Sequence, residues 1–373
     1  MTPRQRLFAA LEGSPTDRTP VWLLFPYNPT GYYVDVRTHP RYCPLFERSL
    51  ECAVTLNRRN FRVPLHTPEV AQRREEFREG DLELIRQHVE YQGHSIFSQT
   101  CVADSFKNHR LLNSPEDLEF FCSLPVETNP DRIQATLDNL LPEYLREKEA
   151  FPPHYGAMML DLGEPIGPLY GSSNLEEYAI WSLTHDDMIV AWLQRVLERC
   201  RLIYRYCLER DLADVYFMVG SELASPPLVS RSTFQRWIVP FARDLIDLVH
   251  SYGKKVIQHY HGQIAEILPD FLDMQPDGLH TIEAPPTGDC TMPQAYEVVG
   301  DRITLIGNVQ YDEFRSATTE QMAASVTDLL EECRDRRFIL SPTAGPFDPD
   351  PPESIIRNYR VFLETAWEYG NEF

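Results

Sequence analysis

The segment His259-Tyr260-His261-Gly262 places two imidazoles two residues apart. In an extended segment such residues project to the same side, so both rings can reach one ion. Glu283 ends the next apolar run, Gly278–Ile282. Two imidazoles and a carboxylate with an open position form a recurrent catalytic set for zinc, and also for iron. The plain alternative is two polar residues leaving a strand, since so short a motif is weak alone. Glu283 favours the metal set, because an acid at that strand end has no structural use. Glu222 follows the apolar run DVYFMVG. It is a candidate fourth ligand or general acid/base, against an N-cap or rim ion pair. Tyr27, after VWLLFP, is a candidate for orienting substrate, against simple packing.

The elements that must hold these groups follow from the chain's rhythm. TPRQRLFAALEG reads as a helix, with Thr2 as N-cap, Pro3 in its first turn and Gly13 as its stop. VWLLF suits a buried strand. Residues 41–63 and 68–88 read as helical or irregular, and Arg73–Arg78 as a solvated helix face. HVEYQGHSIFSQTCV reads as a hairpin about Gly93, and Ser114 opens a further helix. From about residue 150, short strands alternate with helices. Strands are expected at Ala157–Leu160, Val215–Val219, Lys255–Gln258, Gly278–Ile282, Ile303–Ile306 and Phe338–Leu340. With VWLLF and one strand from the irregular region the count approaches eight. A (β/α)8 barrel is therefore expected, with an open doubly wound sheet as the alternative. No GxGxxG follows the first strand, which disfavours a dinucleotide site. Barrel enzymes place their chemistry at the C-terminal strand ends. Those ends carry Tyr27, Asn28, Asp161, Glu222, His259, His261, Glu283, Asn308, Gln310 and the Ser341–Pro346 turn. His280, within a strand, reads as a satisfied core histidine, and Cys290 as packing, against a distant ligand.

The 373 residues are 43% hydrophobic, enough for a large core, so wholesale disorder is excluded. Lys and Arg number 35 against 56 Asp and Glu, a formal charge of −21. That excludes a basic nucleic-acid binder as the default and disfavours an anionic membrane surface. No apolar stretch of about 18 residues occurs, so no membrane span is expected. There is no signal-peptide pattern at the N-terminus, and the eight cysteines form no CxxC pair. Free thiols in a reducing cytoplasm are the expected state.

Several segments resemble the uroporphyrinogen decarboxylase-like superfamily. They are TPRQRLFAALEGSPTDRTPVW, FQRWIVPFARDLIDLVHSYGKKVIQHYHG, LPDFLDMQPDGLHTIEAPPTGD and LIGNVQ followed by FILSPTAGP. The resemblance spans nearly the whole chain and is weakest over about 35–90. It implies one barrel domain over residues 1–373, with a less regular portion (about 26–110) shaping the substrate pocket. The superfamily includes decarboxylases and zinc methyltransferases that move methyl groups between corrinoid proteins and other acceptors. The decarboxylases carry RQAGRY after the first strand; here that place reads VWLLFPYNPTGYY, without an arginine. The methyltransferases carry His-x-Cys-Gly and a distant second cysteine. His259 matches the histidine, His261 stands at the first cysteine, Glu283 at the related glutamate and Ala344 at the distant cysteine. With both thiolates absent, a His/His/Glu site suits polarising a substrate oxygen better than holding a thiol.

The resemblance implies a metal-dependent methyltransferase or demethylase of the methyltransferase branch. Its ion, zinc or another divalent metal, would sit on His259, His261 and Glu283. Glu222 and Tyr27 would be catalytic, the substrate a small methylated molecule and the partner a corrinoid protein. A homodimer paired across the active-site faces is expected. The alternatives are a corrinoid-independent lyase or hydrolase, and a non-catalytic corrinoid- or tetrapyrrole-binding protein.

Overall fold

A computed structural model describes residues 1–219 and 221–370, without the side chains of residues 221 and 223. Its ten strands are β1 Thr55–Arg59, β2 Ala71–Glu79, β3 Leu82–Tyr91, β4 His94–Cys101, β5 Gly156–Leu160, β6 Val215–Val219, β7 Lys255–His259, β8 Gly278–His280, β9 Thr304–Val309 and β10 Phe338–Pro342. β1 and β5–β10 form one parallel sheet in the order β1-β5-β6-β7-β8-β9-β10. The gap between β10 and β1 is filled by residues 20–22. Trp22 N–H donates to Leu340 O, Leu340 N–H to Pro20 O, and Val54 N–H to Val21 O. These bonds make the eighth stave, so the fold is the expected (β/α)8 barrel. The stave is shorter than VWLLF because Leu24 has φ +60°, which ends an extended strand.

Side chains alternate across each strand with period two. Ala157, Met159, Val215, Phe217, Ile257, Ile306 and Ile339 fill the barrel interior. Met158, Leu160, Tyr216, Met218, Val256, Leu279 and Leu340 pack in the larger outer core with the helices. The N-terminal helix Pro3–Glu12 is capped by Thr2 and stopped by Gly13 in the left-handed conformation, as expected, and Gln5 completes a reciprocal capping box with Thr2. Its Leu7, Ala10 and Leu11 join the interior cluster. Arg4 donates to Gly156 O at the start of β5, and Thr304 donates to Ala10 O at the start of β9. The helix therefore plugs the N-terminal end of the barrel and leaves the other end open. No helix among the described residues is long and apolar enough to cross a membrane.

Two elements differ from expectation. Residues 71–101 form a three-stranded antiparallel sheet, β2-β3-β4, so the charged run Arg73–Arg78 is an exposed strand and not a helix face. It carries no apolar alternation because neither face of β2 enters the core; pairing with β3 gives it its shape. The hairpin about Gly93 is present, with Gln92 and Gly93 both at positive φ. The helix expected over 231–252 is two, Arg231–Trp237 and Val239–Ser251, parted near Pro240, whose missing N–H suits the second helix's first turn.

Close approach of β1 and β5 requires Gly156. A Cβ there would stand 1.9 Å from Thr55 O, a backbone atom that cannot yield without moving the strand. Gly156→Ala is expected to destabilise the barrel by about 3 kcal/mol or more, at the upper end of overpacking costs. A urea midpoint within error of wild type would show that β1 moves freely.

Candidate active site

The open end gathers side chains from four strands. His259 ends β7 and His280 ends β8, and the two are paired in register. Each shares parity with an interior position, His259 with Ile257 and His280 with Gly278, so both face the barrel axis. Their Nδ1 atoms are 2.6 Å apart. The ring planes lie within 15° with centroids 4.8 Å apart. That separation fits two rings meeting edge to edge through their nitrogens. The other nitrogen of His280, Nε2, lies 3.0 Å from the Pro342 carbonyl at the end of β10. Phe217 and Trp22 close the floor, Phe217 against His259 and Trp22 against His280. Burial pushes the His259 imidazolium far below its ordinary range, helped by His280, His261 and Arg58. Burial likewise pushes His280 down to about 3. Both rings are neutral near pH 7.

His261 stands beyond the strand end, its ring centroid 4.6 Å from that of His259. Its Nδ1 is 3.2 Å from Glu283 Oε1, while Gly262 N–H donates to Glu283 Oε2 at 2.6 Å. Burial opposes charge on both partners, but the bond between them prevails. His261 is held above its usual range by Glu283 and by the charge of Glu222. Glu283 is held below the usual carboxylate range by His261 and the Gly262 N–H. Glu222, in the short turn Ser221–Ala224, thus reaches His261 electrostatically, as it does Tyr170. The structure brings His259, His261, Glu283 and Glu222 together.

Tyr27 lies apart from that group. Its ring packs on Phe46 and Phe151 and is covered by the Arg37 guanidinium at 4.3 Å. Sequence reasoning missed Arg58, and it read His280 as a satisfied core histidine without placing it at the site. Arg58 of β1 pairs with Asp161, which follows β5, at 2.5 Å, with both side chains 12% exposed. The guanidinium also lies over Tyr32 and Phe217 and hydrogen-bonds Tyr33. Through Phe217 this cluster continues to His259.

For a metal, the test lies in the donors. His259 and His261 each engage Nδ1 with a neighbour and keep Nε2 outside those bonds. A backing group on one nitrogen is the usual arrangement of a metal-binding histidine. The carboxylate of Glu283 is engaged at both oxygens, and among the described residues no group of three or more His, Cys, Asp or Glu is already gathered as for an ion. The donor chemistry fits a divalent cation through the two imidazoles, with Glu283 adjacent as the anionic member.

Neutral buried histidines have a consequence for acid stability. Their folded pKa values lie below the unfolded value, so the unfolded chain takes up protons first as pH falls. The stability they confer is present above about pH 6.5 and is lost as pH drops toward the folded values. His261 has the opposite sign, since its folded value is raised. In metal-free protein, His280→Leu should flatten the fall in stability between about pH 6 and 5 by about 1.4 kcal/mol per pH unit. Urea titrations across that range would show it, and equal slopes would mean His280 takes its proton in the native state.

A parallel α/β barrel, plugged at one end and carrying paired imidazoles and carboxylates at the other, has the layout of a barrel enzyme. Residues 169–369, over half the chain, match the family model described as Uroporphyrinogen decarboxylase (URO-D), and the chain belongs to that family. Among solved structures, a methyltransferase from Methanosarcina mazei shares the fold over 99% of both chains, with 19% identity and a TM-score of 0.60. A B12-independent methionine synthase from Shewanella sp. W3-18-1 aligns over 61% of this chain and 64% of its own, with 10% identity and a TM-score of 0.38. No curated protein matches the sequence.

Proposed function

We propose that the protein is a metal-dependent methyltransferase or demethylase that takes a methyl group from a small methylated substrate. His259 and His261 hold a divalent ion, zinc by preference, with Glu283 behind His261 as the anionic member of the set. The observation that carries this reading is the pair of strand-end imidazoles, each backed at Nδ1 and each keeping Nε2. Whole-chain likeness in fold to a methyltransferase supports it. When bound, the ion supplies Lewis acidity to the heteroatom that carries the methyl group. The chain's own residues do the rest. Glu283 and Gly262 fix the His261 ring, Trp22 and Phe217 floor the site with apolar surface, and Glu222 exchanges the proton of the leaving heteroatom. Residues 26–110 shape the substrate pocket within a single barrel domain. The methyl acceptor is a corrinoid protein's cobalt(I), and the chain works as a homodimer.

A second reading, a decarboxylase-like lyase, is favoured by one observation. Arg58 sets a guanidinium within electrostatic reach of His259, where a substrate carboxylate would share it with Asp161. Incubating the zinc-loaded protein with cob(I)alamin and a panel of O-, N- and S-methylated small molecules separates the two. Formation of methylcobalamin with at least one donor is expected. Release of carbon dioxide from a carboxylated substrate, with no methyl transfer from any donor, would replace this reading by the lyase.

A further inference from the structure

We infer that His280 is a positioning residue that fixes the tautomer of His259 through a one-directional chain of hydrogen bonds ending on the Pro342 carbonyl. The chain is read from its terminus. A carbonyl oxygen has lone pairs only, so the contact of 3.0 Å from His280 Nε2 to Pro342 O requires the hydrogen on His280 Nε2. His280 is wholly buried and its two nitrogens meet a ring nitrogen and a carbonyl rather than a carboxylate, so the ring is neutral, carries one N–H and has a lone pair on Nδ1. The 2.6 Å contact between the two Nδ1 atoms then requires the hydrogen on His259 Nδ1. His259 is left with its lone pair on Nε2.

An unconstrained imidazole favours its hydrogen on Nε2, the state in which that atom of His259 can donate but has no lone pair for a cation. The chain reverses that preference. His280 is wholly buried and edged by Trp22, and His259, half-buried at the strand end, lies against Phe217. Neither ring can turn over to restore the other tautomer without vacating its partner. His280 does not itself reach the open mouth; it acts on whatever His259 Nε2 meets, by deciding that this atom accepts. The second nitrogen of a ligating histidine commonly has a backbone or carboxylate partner, and here a second imidazole stands between the ligand and the backbone.

The assignment rests on the proposed metal site only in its second measurement. The first is made on metal-free protein labelled with 15N-histidine, by long-range proton–nitrogen correlation at neutral pH. Wild type should show His259 with hydrogen on Nδ1 and an unprotonated Nε2, and His280 with hydrogen on Nε2. His259 with hydrogen on Nε2 in wild type overturns the inference outright. His280→Asn keeps a carbonyl acceptor toward His259 and should preserve its tautomer. His280→Leu removes the acceptor and should shift His259 toward hydrogen on Nε2; an unchanged tautomer in a folded His280→Leu protein would also overturn it. The second measurement is zinc affinity by competition with a chromophoric chelator. His280→Leu should weaken zinc about 10–100-fold and His280→Asn should recover most of that loss. Equal weakening in both variants would mean that His280 acts through packing alone, and the inference would fall. If wild type binds no zinc, the metal reading fails, while the tautomer result still decides the role of His280. If His280→Leu does not fold, the wild-type spectrum decides it alone.

Discussion

His261→Ala is expected to lose methyl transfer by more than about 100-fold while keeping the barrel intact. Disturbing a group that only backs a metal ligand typically costs 10–100-fold, and removing the imidazole itself should cost more. The fold survives because His261 lies past the end of β7, outside both apolar clusters, with its side chain 38% exposed. The variant does leave Glu283, 5% exposed at its side chain, with the Gly262 N–H alone at its two oxygens. A stability loss of about 1–3 kcal/mol is therefore expected, the usual cost of stripping a partner from a buried polar group. Initial rates, with urea titration of the same preparation, check both parts. Activity within a few-fold of wild type would remove His261 from the chemistry.

The second large effect concerns Arg58 and Asp161. Each side chain is 12% exposed, so each charge is stripped of most of its water and depends on the other. Asp161→Leu leaves the guanidinium with Tyr33 and two aromatic faces but no counter-charge. A loss of about 3–5 kcal/mol is expected, as for other broken buried pairs. The double variant Arg58→Met/Asp161→Leu should recover most of that, because apolar groups of similar volume carry no desolvation cost. Chemical denaturation of the three proteins checks it. A single variant costing under about 1 kcal/mol would mean that water reaches the pair and screens it.

These two sites differ in how far the sequence reveals them. His259 and His261 are two residues apart on one strand exit, and Glu283 ends the next strand, so local periodicity and strand order bring them together. Arg58 and Asp161 are 103 residues apart, and only the adjacency of β1 and β5 joins them. β1 itself was hidden, since Thr-Leu-Asn-Arg-Arg has a single aliphatic residue and ends in two charges. The outer sheet was hidden for a related reason. β2 is held by its ladder to β3 and by ion pairs such as Arg74 with Glu76, neither of which leaves an apolar period. His280 was read as a buried histidine with satisfied nitrogens, and it is one. Its partner was legible only by counting parity across two strands, from Ile257 to His259 and from Gly278 to His280. The N-terminal helix, by contrast, was declared by Thr2, Pro3 and Gly13, because capping is local chemistry. Its role as the barrel's plug was not, since that depends on Leu7 and Leu11 clustering with strand residues distant in sequence, such as Met159, Ile257 and Ile339.

Zinc titration of metal-free, untagged protein, with stoichiometry read by elemental analysis after dialysis, tests the metal centre most directly. One ion per chain is expected in wild type, and none in the double variant His259→Ala/His261→Ala. No retained ion in wild type, or the same content in both proteins, would contradict a metal centre built on these imidazoles.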